Sequence, residues 1–474
     1  MPSTKIVVTV GPASRSPQVM RDLLGAGMDV ARVNFSHGDH ATHAQTIATL
    51  RQVAEEEGRL LAVLADLQGP KLRVGLLPEG GIELLEGETL QLTGAAFSPG
   101  VIPIPHPEVL RDIEAGQKVL LDDGRLELHV TDVSEGGASC RVVTGGKLTS
   151  RKGLHLPNAV LSSSPLTPKD RADLEFAVGQ GVDFVALSFV RAARDIAELR
   201  ELLCGLGTDL PIVAKIEKAE AVADFDAILE ATDGVMVARG DLGVETPAEE
   251  VPFHQKMIIQ ACNWAGKPVI TATQMLQSMI EWPTPTRAEA SDVVNAILDG
   301  TDAVMLSGET AIGKYPVLTV RTMARICANA ESHLPDGEPL HPPATGKVAS
   351  VTEAISLATV ETACDVNAKA ILTATMGGTT ARMVARHRPA MPIVAVTPNE
   401  RTYKSLSLIW GVKPVLVSSF ASTDQMVSMM VRAALEAGIV QQGDRVVLTA
   451  GIPFGGEGRT NMLKVHVVGD GDGQ

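Results

Sequence analysis

Aromatic side chains and basic residues are scarce in this chain of 474 residues. Aromatic residues make up 3% of it, too few for the stacking platforms that bind single-stranded nucleic acids. The 41 Lys and Arg residues stand against 56 Asp and Glu residues, which gives a formal net charge of −15. Because no basic field would face a phosphate backbone, these absences exclude a protein that binds nucleic acid.

Cysteines are few, and their spacing fits neither a metal cage nor a disulfide framework. The chain has five, at Cys140, Cys204, Cys262, Cys327 and Cys364, without a CxxC pair. Their number is odd, and the last four lie in segments with a helical pattern. We therefore expect free thiols, buried or half-buried, in a reducing cytoplasm.

Long hydrophobic runs are also missing. None approaches the roughly 20 residues that a membrane-spanning helix needs, and the apolar run near the N-terminus is too short for a signal peptide. The Walker A motif, the protein-kinase motifs and the dinucleotide-binding glycine motif are absent as well. We expect a soluble cytoplasmic protein that uses none of these nucleotide sites.

The chain does contain enough apolar sequence for large cores. Hydrophobic residues make up 45% of it, which excludes general disorder, and its length predicts roughly three domains. Short β-branched runs alternate with longer amphipathic segments, which is typical of parallel βα units and predicts a (β/α)8 TIM barrel. The eight predicted barrel strands are residues 5–10, 29–35, 60–67, 183–189, 211–217, 234–239, 268–273 and 303–307.

Two stretches depart from this alternation and predict further domains. Residues 70–160 lack helical periodicity and contain short alternating strands, which predicts a small β-barrel inserted as a lid over the active-site end of the TIM barrel. Residues 345–474 restart the βα rhythm after a linker rich in Pro and Gly, and they predict a doubly wound α/β domain. The TIM barrel is thus expected in two parts, at residues 1–69 and 161–335.

Charged side chains at the ends of predicted strands mark the candidate active site, since the strand ends of a barrel converge on one mouth. Lys215 and Glu217 are two residues apart on one strand, so they face the same side. Inward-facing charges are costly unless they are paired or bind a metal. Together with Asp241, Glu217 offers the few carboxylates that Mg2+ requires, although a structural ion pair would also explain Lys215 and Glu217.

Candidates for phosphate binding surround this mouth. Arg32 is a suitable phosphate fork, and Gly240 stands where a helix would direct N–H groups at an anion, or where a tight turn needs glycine. His37 is also a candidate, but a histidine in such a loop more commonly forms its hydrogen bonds within the loop than to a ligand. Arg73 and Lys152 lie on the connections to the insertion, where basic side chains that are simply exposed to solvent are also expected. Cations, a pair of carboxylates for a divalent metal and a lid favour a phosphorylated anionic substrate, with phosphoryl transfer or enolate chemistry.

Six ordered motifs resemble those of the pyruvate kinase family and extend over nearly the whole chain. They are ARVNFSHG (31–38), the strand with Lys215 and Glu217, VARGDLGVE (237–245), TATQMLQSMI (271–280), the segment 285–316 and AVTPNE (395–400). The chain begins at its first barrel strand and resembles a bacterial member. The resemblance implies transfer of the phosphoryl group of phosphoenolpyruvate to ADP, which gives ATP and pyruvate in glycolysis, with Mg2+ or Mn2+ as cofactor.

The resemblance also implies roles for the residues at the mouth. Glu217 and Asp241 would bind the divalent metal. Lys215 would stabilise the charge on the phosphoryl group in transfer, and Arg32 would hold the phosphate. These assignments agree with the chemistry of loose phosphoryl-transfer transition states, which need positioning and cations.

Substrate and nucleotide contacts are implied in the same way. The amides of Gly240 and Asp241 would receive the substrate carboxylate. Thr273 would lie near the face of the enolate that is protonated, either as the acid or beside a water relay. The residues expected to contact the nucleotide are Asn34, Ser36, His37, Arg73 and Lys152.

One segment departs from the family pattern at the expected K+ site. Many members read D-T-K-G-P-E after the third strand and bind K+ through equivalents of Asn34, Ser36, Asp66 and the Thr. Here Leu67 replaces the Thr and Lys71 replaces the acidic residue, which resembles the K+-independent branch. Because the ammonium of Lys71 would supply the charge that K+ otherwise brings, we expect activity without added K+. The alternative is that Lys71 merely lies on the surface of the hinge between the barrel and the insertion.

The C-terminal domain resembles the regulatory domain of the family. Thr375 and Thr380 bound the sequence TMGGTT before a predicted helix, which is a suitable phosphate cradle, and residues 451–461 match the effector loop. A sugar phosphate or AMP is the expected effector, although a purely structural domain is the alternative. The family's tendency to form tetramers predicts a homotetramer.

Two other functions stay open at this point. A metal-dependent barrel lyase or aldolase acting on pyruvate would use the same Glu217 and Asp241 pair to stabilise an enolate. It would need neither the insertion nor the nucleotide-facing Arg73 and Lys152. A non-catalytic binding protein is the other possibility, but it would have little reason to keep the inward charges of Lys215, Glu217 and Asp241, because unpaired buried charges are costly.

Overall fold

Three parallel strands and two helices open the chain. The structure, a computed structural model, describes residues 2–134, 136–157, 159, 164–334, 349–420, 422–453 and 459–469. The first elements are β1 (Lys5–Thr9), α1 (Pro17–Ala26), β2 (Val30–Asn34), α2 (His40–Glu56) and β3 (Ala62–Asp66). Both helices begin at side-chain caps, since Ser16 and Asp39 accept hydrogen bonds from amides in the first turn.

The insertion after β3 consists of short strands. They are β4 (Ile82–Leu84), β5 (Thr89–Thr93), β6 (Val101–Pro103), β7 (Lys118–Leu121), β8 (Leu126–Ser134), β9 (Gly137–Thr144), β10 (Gly146–Leu148) and β11 (Leu154–His155), with a 3-10 helix at Pro107–Arg111. Within the described residues they form a six-stranded sheet, in the order β11-β7-β8-β9-β5-β6, and a two-stranded sheet of β4 and β10. The small β domain is confirmed, but its strands form two sheets rather than one closed barrel.

The chain then returns to complete the TIM barrel. Its elements are α3 (Pro168–Gly179), β12 (Phe184–Leu187), α4 (Ala193–Gly205), β13 (Ile212–Ile216), α5 (Ala219–Ala223), α6 (Phe225–Ala231), β14 (Gly234–Ala238), α7 (Arg239–Glu245), α8 (Val251–Ala265), β15 (Val269–Ala272), α9 (Arg287–Leu298), β16 (Ala303–Leu306), α10 (Gly308–Ala311) and α11 (Pro316–Glu331), with a 3-10 helix at Gln277–Ile280. Eight parallel strands close in the order β1-β16-β15-β14-β13-β12-β3-β2. The predicted (β/α)8 barrel is therefore confirmed.

The C-terminal domain is a single sheet with helices on both faces. Its elements are α12 (Val351–Asp365), β17 (Ala370–Ala374), α13 (Thr379–Ala385), β18 (Ile393–Thr397), α14 (Glu400–Ser405), β19 (Val412–Leu416), α15 (Thr423–Glu436), β20 (Arg445–Ala450) and β21 (Met462–Val467), with a 3-10 helix at Leu406–Leu408. The strand order is β19-β18-β17-β20-β21, with β21 antiparallel to β20. One buried cluster packs α15 on the sheet and a second packs α12 and α13, which confirms the doubly wound prediction.

The barrel strands are covered on both faces, which explains their nearly continuous apolar sequences. In β1, Ile6 and Val8 pack against the surrounding helices, whereas Val7 belongs to the cluster inside the barrel. Side chains alternate between these two faces along each strand. Polar residues on the inward face therefore occur where the apolar interior stops, at the ends of the strands.

A glycine is required where β3 leads into the insertion. Gly69 has a φ of +68°, and a Cβ atom there would lie 2.7 Å from Cδ2 of Phe189. The Gly69 amide donates to Oδ1 of Asp170 at 3.0 Å. The connection from β3 to the insertion is thus held against the barrel at Gly69.

The predicted domain boundaries stay predictions. The expected linker before the C-terminal domain lies almost wholly outside the described residues, as does the boundary at residues 160 and 161. Among the helices of the part that is described, none is long and apolar enough to cross a membrane.

The five cysteines are free, but one prediction about them is wrong. Cys140, Cys262 and Cys327 are buried and Cys364 is half-buried, whereas Cys204 is exposed. The apolar stripe of α4 runs through Ile196, Leu199 and Leu203, so the next residue points away from the core. Burial raises the pKa of Cys140 to about 12, which keeps that thiol protonated and unreactive.

Thiol labelling tests this arrangement. With a chromogenic disulfide reagent at pH 8 we expect one thiol of the native chain, Cys204, to react rapidly, because only thiolates that the reagent can reach are attacked. Cys204→Ser should remove the fast phase, and all five thiols should react in denaturant. A fast phase that persists in Cys204→Ser would contradict the structure.

Candidate active site

A layer of charged side chains covers the apolar interior of the barrel at its mouth. Arg32, Asp66 and Lys215 are buried and belong to β2, β3 and β13. Each lies two residues beyond an interior apolar residue, namely Val30, Leu64 and Val213. Because side chains alternate along a strand, this spacing turns all three charges toward the same central space.

Asp66 joins the two cations of this layer. Its carboxylate accepts hydrogen bonds from Nε of Arg32 at 2.6 Å and from Nζ of Lys215 at 3.1 Å. Burial by itself would raise the pKa of Asp66, but the charges of Arg32 and Lys215 outweigh it and lower the pKa below its ordinary value. Asp66 was predicted only as part of a monovalent-cation region, whereas its contacts make it the anchor of Arg32 and Lys215.

The ammonium of Lys215 has three oxygen atoms close to it. Nζ lies 2.7 Å from Oγ of Ser188 and 3.0 Å from Oε1 of Glu217, in addition to its bond with Asp66. Burial by itself would lower the pKa of Lys215, but Asp66 and Glu217 outweigh it and raise the pKa. Lys215 is therefore a fixed positive charge, and the prediction that it faces the same side as Glu217 is confirmed.

Glu217 and Asp241 are two carboxylates close enough to repel each other. Glu217 accepts from the amide of Phe189 at 2.8 Å, and burial and the charge of Asp241 raise the pKa of Glu217 although Lys215 opposes them. Asp241 lies 3.2 Å from Nζ of Lys71. Burial would raise the pKa of Asp241, but Lys71 and Lys215 outweigh it and lower the pKa.

A divalent cation fits this pair of carboxylates. Its charge would relieve the repulsion that raises the pKa of Glu217. Mg2+ typically binds one or two carboxylates and completes its shell with water and substrate oxygens. Within the described residues no group of three or more His, Cys, Asp or Glu side chains could hold a metal alone. The pair of Glu217 and Asp241 therefore suits a cation that an oxygen-rich ligand shares.

The beginning of α7 is bound to the loop that follows β15. The Gly240 amide donates to Oγ1 of Thr273 at 2.8 Å, and this hydroxyl donates to the Ala272 carbonyl at 2.6 Å. Thr273 has a φ of +70°, a conformation that costs about 1–3 kcal/mol and persists only where surrounding contacts hold it. Arg239 supplies such contacts, since its guanidinium donates to the carbonyls of Ala272 and Thr273.

Three of the predicted nucleotide contacts form one turn after β2. Oδ1 of Asn34 accepts from the Ser36 amide at 3.1 Å, and the His37 amide approaches the Asn34 carbonyl. Asn34 and Ser36 are half-buried, whereas His37 is exposed. The side chain of His37 is thus available to a ligand at the barrel mouth.

The other two predicted nucleotide contacts lie in the insertion. Arg73 donates to the Arg151 carbonyl at 3.0 Å, and Nζ of Lys152 lies 2.6 Å from Oδ1 of Asp122. In the described part of the chain no hydrogen bond or ion pair joins Arg73 or Lys152 to the barrel. A nucleotide that touches both groups would have to lie between the insertion and the barrel.

Thr375 and Thr380 lie in the C-terminal domain, away from the mouth of the barrel. Thr375 follows β17, and Oγ1 of Thr380 in α13 lies 2.9 Å from Oγ1 of Thr460. This contact ties the predicted cradle to the end of the predicted effector loop. Residues 454–458 of that loop lie outside the described residues.

Sequence reasoning gave no role to three side chains that hold the site together. Ser188 bridges Lys215 and the Leu67 carbonyl, and Oγ1 of Thr9 accepts from Arg32 at 3.0 Å. Both lie two residues beyond an interior apolar residue, so the period of two would have found them. The anchoring contacts of Arg239 had no such signal, because its partners lie on other elements of the fold: the Asp292 carboxylate and the backbone carbonyls of Ala272 and Thr273.

Comparison with known proteins gives one consistent result. A family model described as the pyruvate kinase barrel domain matches residues 1–320, and one described as the pyruvate kinase alpha/beta domain matches residues 353–466. The pyruvate kinase of Geobacillus stearothermophilus is 48% identical over 472 residues, which cover 98% of this chain and 80% of the relative. Pyruvate kinase 2 of a Synechocystis species is also 48% identical over 472 residues, which cover 98% of this chain and 79% of the relative.

A solved structure agrees with these relatives. The crystal structure of a pyruvate kinase from Cryptosporidium parvum matches with a TM-score of 0.90 at 36% identity. The match covers 98% of this chain and 96% of that chain. The lyase or aldolase alternative finds no support in these comparisons.

Removing the charge of Asp66 tests the network directly. Asp66→Asn leaves Arg32 and Lys215 buried without their shared counter-charge, and breaking a buried pair in this way costs about 3–5 kcal/mol of unfolding free energy. Urea unfolding of Asp66→Asn should show a loss of that size. The control Glu198→Gln, which removes the surface partner of Arg171, should lose less than about 1 kcal/mol. Equal losses in the two variants would contradict the assigned role of Asp66.

Proposed function

Because the chain belongs to the pyruvate kinase family of phosphotransferases, we propose that it moves the phosphoryl group of phosphoenolpyruvate to ADP without needing K+. In this reaction the bond between the enol oxygen and phosphorus breaks, and a bond from phosphorus to a β-phosphate oxygen of ADP forms. The enolate left behind takes up one proton and becomes pyruvate. The observation that carries the proposal is the meeting of Arg32, Lys215, Glu217 and Asp241 at one barrel mouth.

The cations of the mouth are assigned to the phosphoryl group. Arg32 uses Nε for Asp66 and one Nη1 bond for Thr9, and a guanidinium has five N–H donors, so others can bind the phosphate. Lys215 is held charged by Asp66 and Glu217. Fixed positive charges of this kind stabilise the charge that develops on the transferred group without reorganising.

Glu217 and Asp241 are assigned to Mg2+ or Mn2+. When bound, the cation would neutralise phosphoryl and substrate oxygens and orient them for in-line transfer. The two carboxylates would hold it from the ends of two adjacent strands, because Glu217 follows β13 and Asp241 lies in the first turn of α7, directly after β14. Lys71 and Lys215 keep Asp241 ionised, which is the form that binds a metal.

Thr273 and the first amides of α7 are assigned to the carboxylate and enolate of the substrate. The Gly240 amide donates to Thr273, so a carboxylate would meet the Asp241 amide first and the Gly240 amide after Thr273 turns away. The Thr273 hydroxyl donates to the Ala272 carbonyl. Proton delivery by Thr273 therefore needs rotation of this hydroxyl, and a water relay is the other route.

The nucleotide is assigned to the space between the insertion and the turn after β2. Asn34, Ser36 and His37 would contact it from the barrel, and Arg73 and Lys152 would contact it from the insertion. The support is chemical, since ADP carries an anionic diphosphate that Arg and Lys bind as charge-assisted partners. Movement of the insertion would bring the two groups onto one ligand.

Regulation and assembly are proposed for the remaining surfaces. A sugar phosphate or AMP would bind at Thr375 and Thr380, which the contact with Thr460 joins to the effector loop. Phe253 and Trp282 are 72% and 68% exposed, and such apolar side chains favour contact between copies in a homotetramer. A cytoplasmic location is supported by five free thiols.

Independence of K+ rests on Lys71. Its ammonium lies 3.2 Å from Asp241 and on the same mouth as Lys215, so a permanent positive charge already stands beside the proposed metal site. Leu67, which replaces the Thr of the K+-binding pattern, is fully buried and offers no side-chain oxygen. A fixed ammonium of this kind would make a bound K+ unnecessary.

Turnover in buffer without K+ and Na+ tests this proposal. With an organic counter-cation, phosphoenolpyruvate, ADP and Mg2+, we expect full activity in a coupled assay and no marked rise when K+ is added. Lys71→Glu should make activity depend on K+ by about tenfold or more, equivalent to about 1.4 kcal/mol of transition-state stabilisation. The matched charge reversal Lys147→Glu, at an exposed position of β10, should leave the wild-type behaviour. Strong activation of the wild type by K+ would sink the proposal.

Lys215 offers a test of the charge at the reacting phosphoryl group. Lys215→Met keeps most of the side-chain volume but removes the ammonium, and we expect kcat to fall by about 10²- to 10³-fold. Binding of Mn2+ should persist, since Glu217 and Asp241 are unchanged. Lys147→Met is the control and should keep its kcat; near-normal turnover of Lys215→Met would falsify the assigned role.

A further inference from the structure

Helix α7 presents two carboxylates to the insertion from one of its faces. Asp241 and Glu245 are four residues apart, which is about one turn, so they lie on the same side of the helix. Asp241 contacts Lys71, where the chain enters the insertion, and Glu245 contacts His155, on β11 where the chain leaves it. The insertion is thus tied to α7 at both ends of the helix.

The contact between Glu245 and His155 is buried and charge-assisted. Oε1 of Glu245 accepts from Nζ of Lys218 at 2.7 Å and lies 3.2 Å from Nδ1 of His155. The side chains of His155 and Glu245 are 4% and 2% exposed. Burial by itself would raise the pKa of Glu245, but its bonds with His155 and Lys218 outweigh it and lower the pKa. Since an ionised carboxylate only accepts, Nδ1 of His155 carries the proton and donates.

Among the described residues, the bond with Glu245 is the one side-chain hydrogen bond of His155. Within the described residues its Nε2 atom has no protein hydrogen-bond partner. The ring is nevertheless held on β11, which pairs with β7 of the insertion. The bond to Glu245 therefore ties this strand to the barrel, and it joins the insertion to α7, the helix that carries Gly240 and Asp241.

From this geometry we propose that His155 is a positioning residue for the reaction, which holds the end of α7 against the insertion and thereby fixes the Asp241 carboxylate. The inference rests on the proposed function, because the position of Asp241 matters if this carboxylate binds the divalent cation. Helix α7 has seven residues, so a tilt at Glu245 moves Asp241 as well. Contacts that orient a metal ligand from behind are typically worth about 10- to 100-fold in metal affinity.

Three full-length variants test the proposal by direct binding of Mn2+, read from the electron paramagnetic resonance signal of the free ion. His155→Leu removes the hydrogen bond but keeps an apolar side chain in the buried site, and it should raise the Mn2+ dissociation constant about tenfold. His155→Gln keeps an N–H donor and should stay within about twofold of the wild type. The control His129→Leu, on β8 and paired with Glu127, should match the wild type.

Kinetics and amide exchange complete the test. In His155→Leu we expect the half-saturating Mg2+ concentration to rise about tenfold while kcat at saturating Mg2+ changes much less, and amide exchange across 239–245 to accelerate. In the wild type, Mn2+ should slow amide exchange at residues 154–156, because coupling between two sites is reciprocal. This last measurement needs no variant, so it decides the matter if His155→Leu does not fold.

Each opposite result overturns the proposal. These are an unchanged Mn2+ dissociation constant in a folded His155→Leu, equal losses in His155→Leu and His155→Gln, or no effect of Mn2+ on exchange at 154–156. Failure of the proposed function would look different, since the wild type itself would then not convert phosphoenolpyruvate and ADP to pyruvate and ATP.

Discussion

The buried carboxylate of Asp66 is the contact on which the rest of the site depends. It lies between Arg32 and Lys215 and provides the counter-charge for both cations in the mouth of an apolar barrel. Without it, burial would lower the pKa of Lys215 with Glu217 as the remaining opposing charge, and Arg32 would keep its bond to Thr9 alone. Lys215 in turn approaches Glu217, so the anchor for phosphate and the carboxylate for a divalent cation are parts of one network.

The insertion adds a second set of contacts to this network, at the mouth of the barrel. Lys71 and His155, at its two ends, contact the two carboxylates of α7, so the position of the insertion and the position of Asp241 are linked.

The site also explains how a chain with a net charge of −15 would bind two phosphorylated substrates. Arg32, Lys71 and Lys215 lie together at one mouth, so an overall negative charge does not argue against a nucleotide.

Much of the fold could be predicted because barrel strands carry a strong local signal. Runs such as residues 303–307 are apolar, bounded and followed by helices, and the period of two along a strand turned Lys215 and Glu217 to one side. Contacts between distant elements left no such signal. The bond between Glu245 and His155 and the partners of Arg239 depend on how loops and helices pack in three dimensions, and the sheet arrangement of the insertion depends on long-range pairing.

The central claim is that these charges guide one phosphoryl group from an enol oxygen to a nucleotide. Phosphorus NMR of a mixture of the enzyme, Mg2+, ADP and phosphoenolpyruvate labelled with 18O in its non-bridging phosphoryl oxygens tests it most directly. The account predicts that the label appears in the γ-phosphate of ATP, with one pyruvate formed for each ATP. Label that appears in inorganic phosphate instead, or that stays in phosphoenolpyruvate, would contradict it.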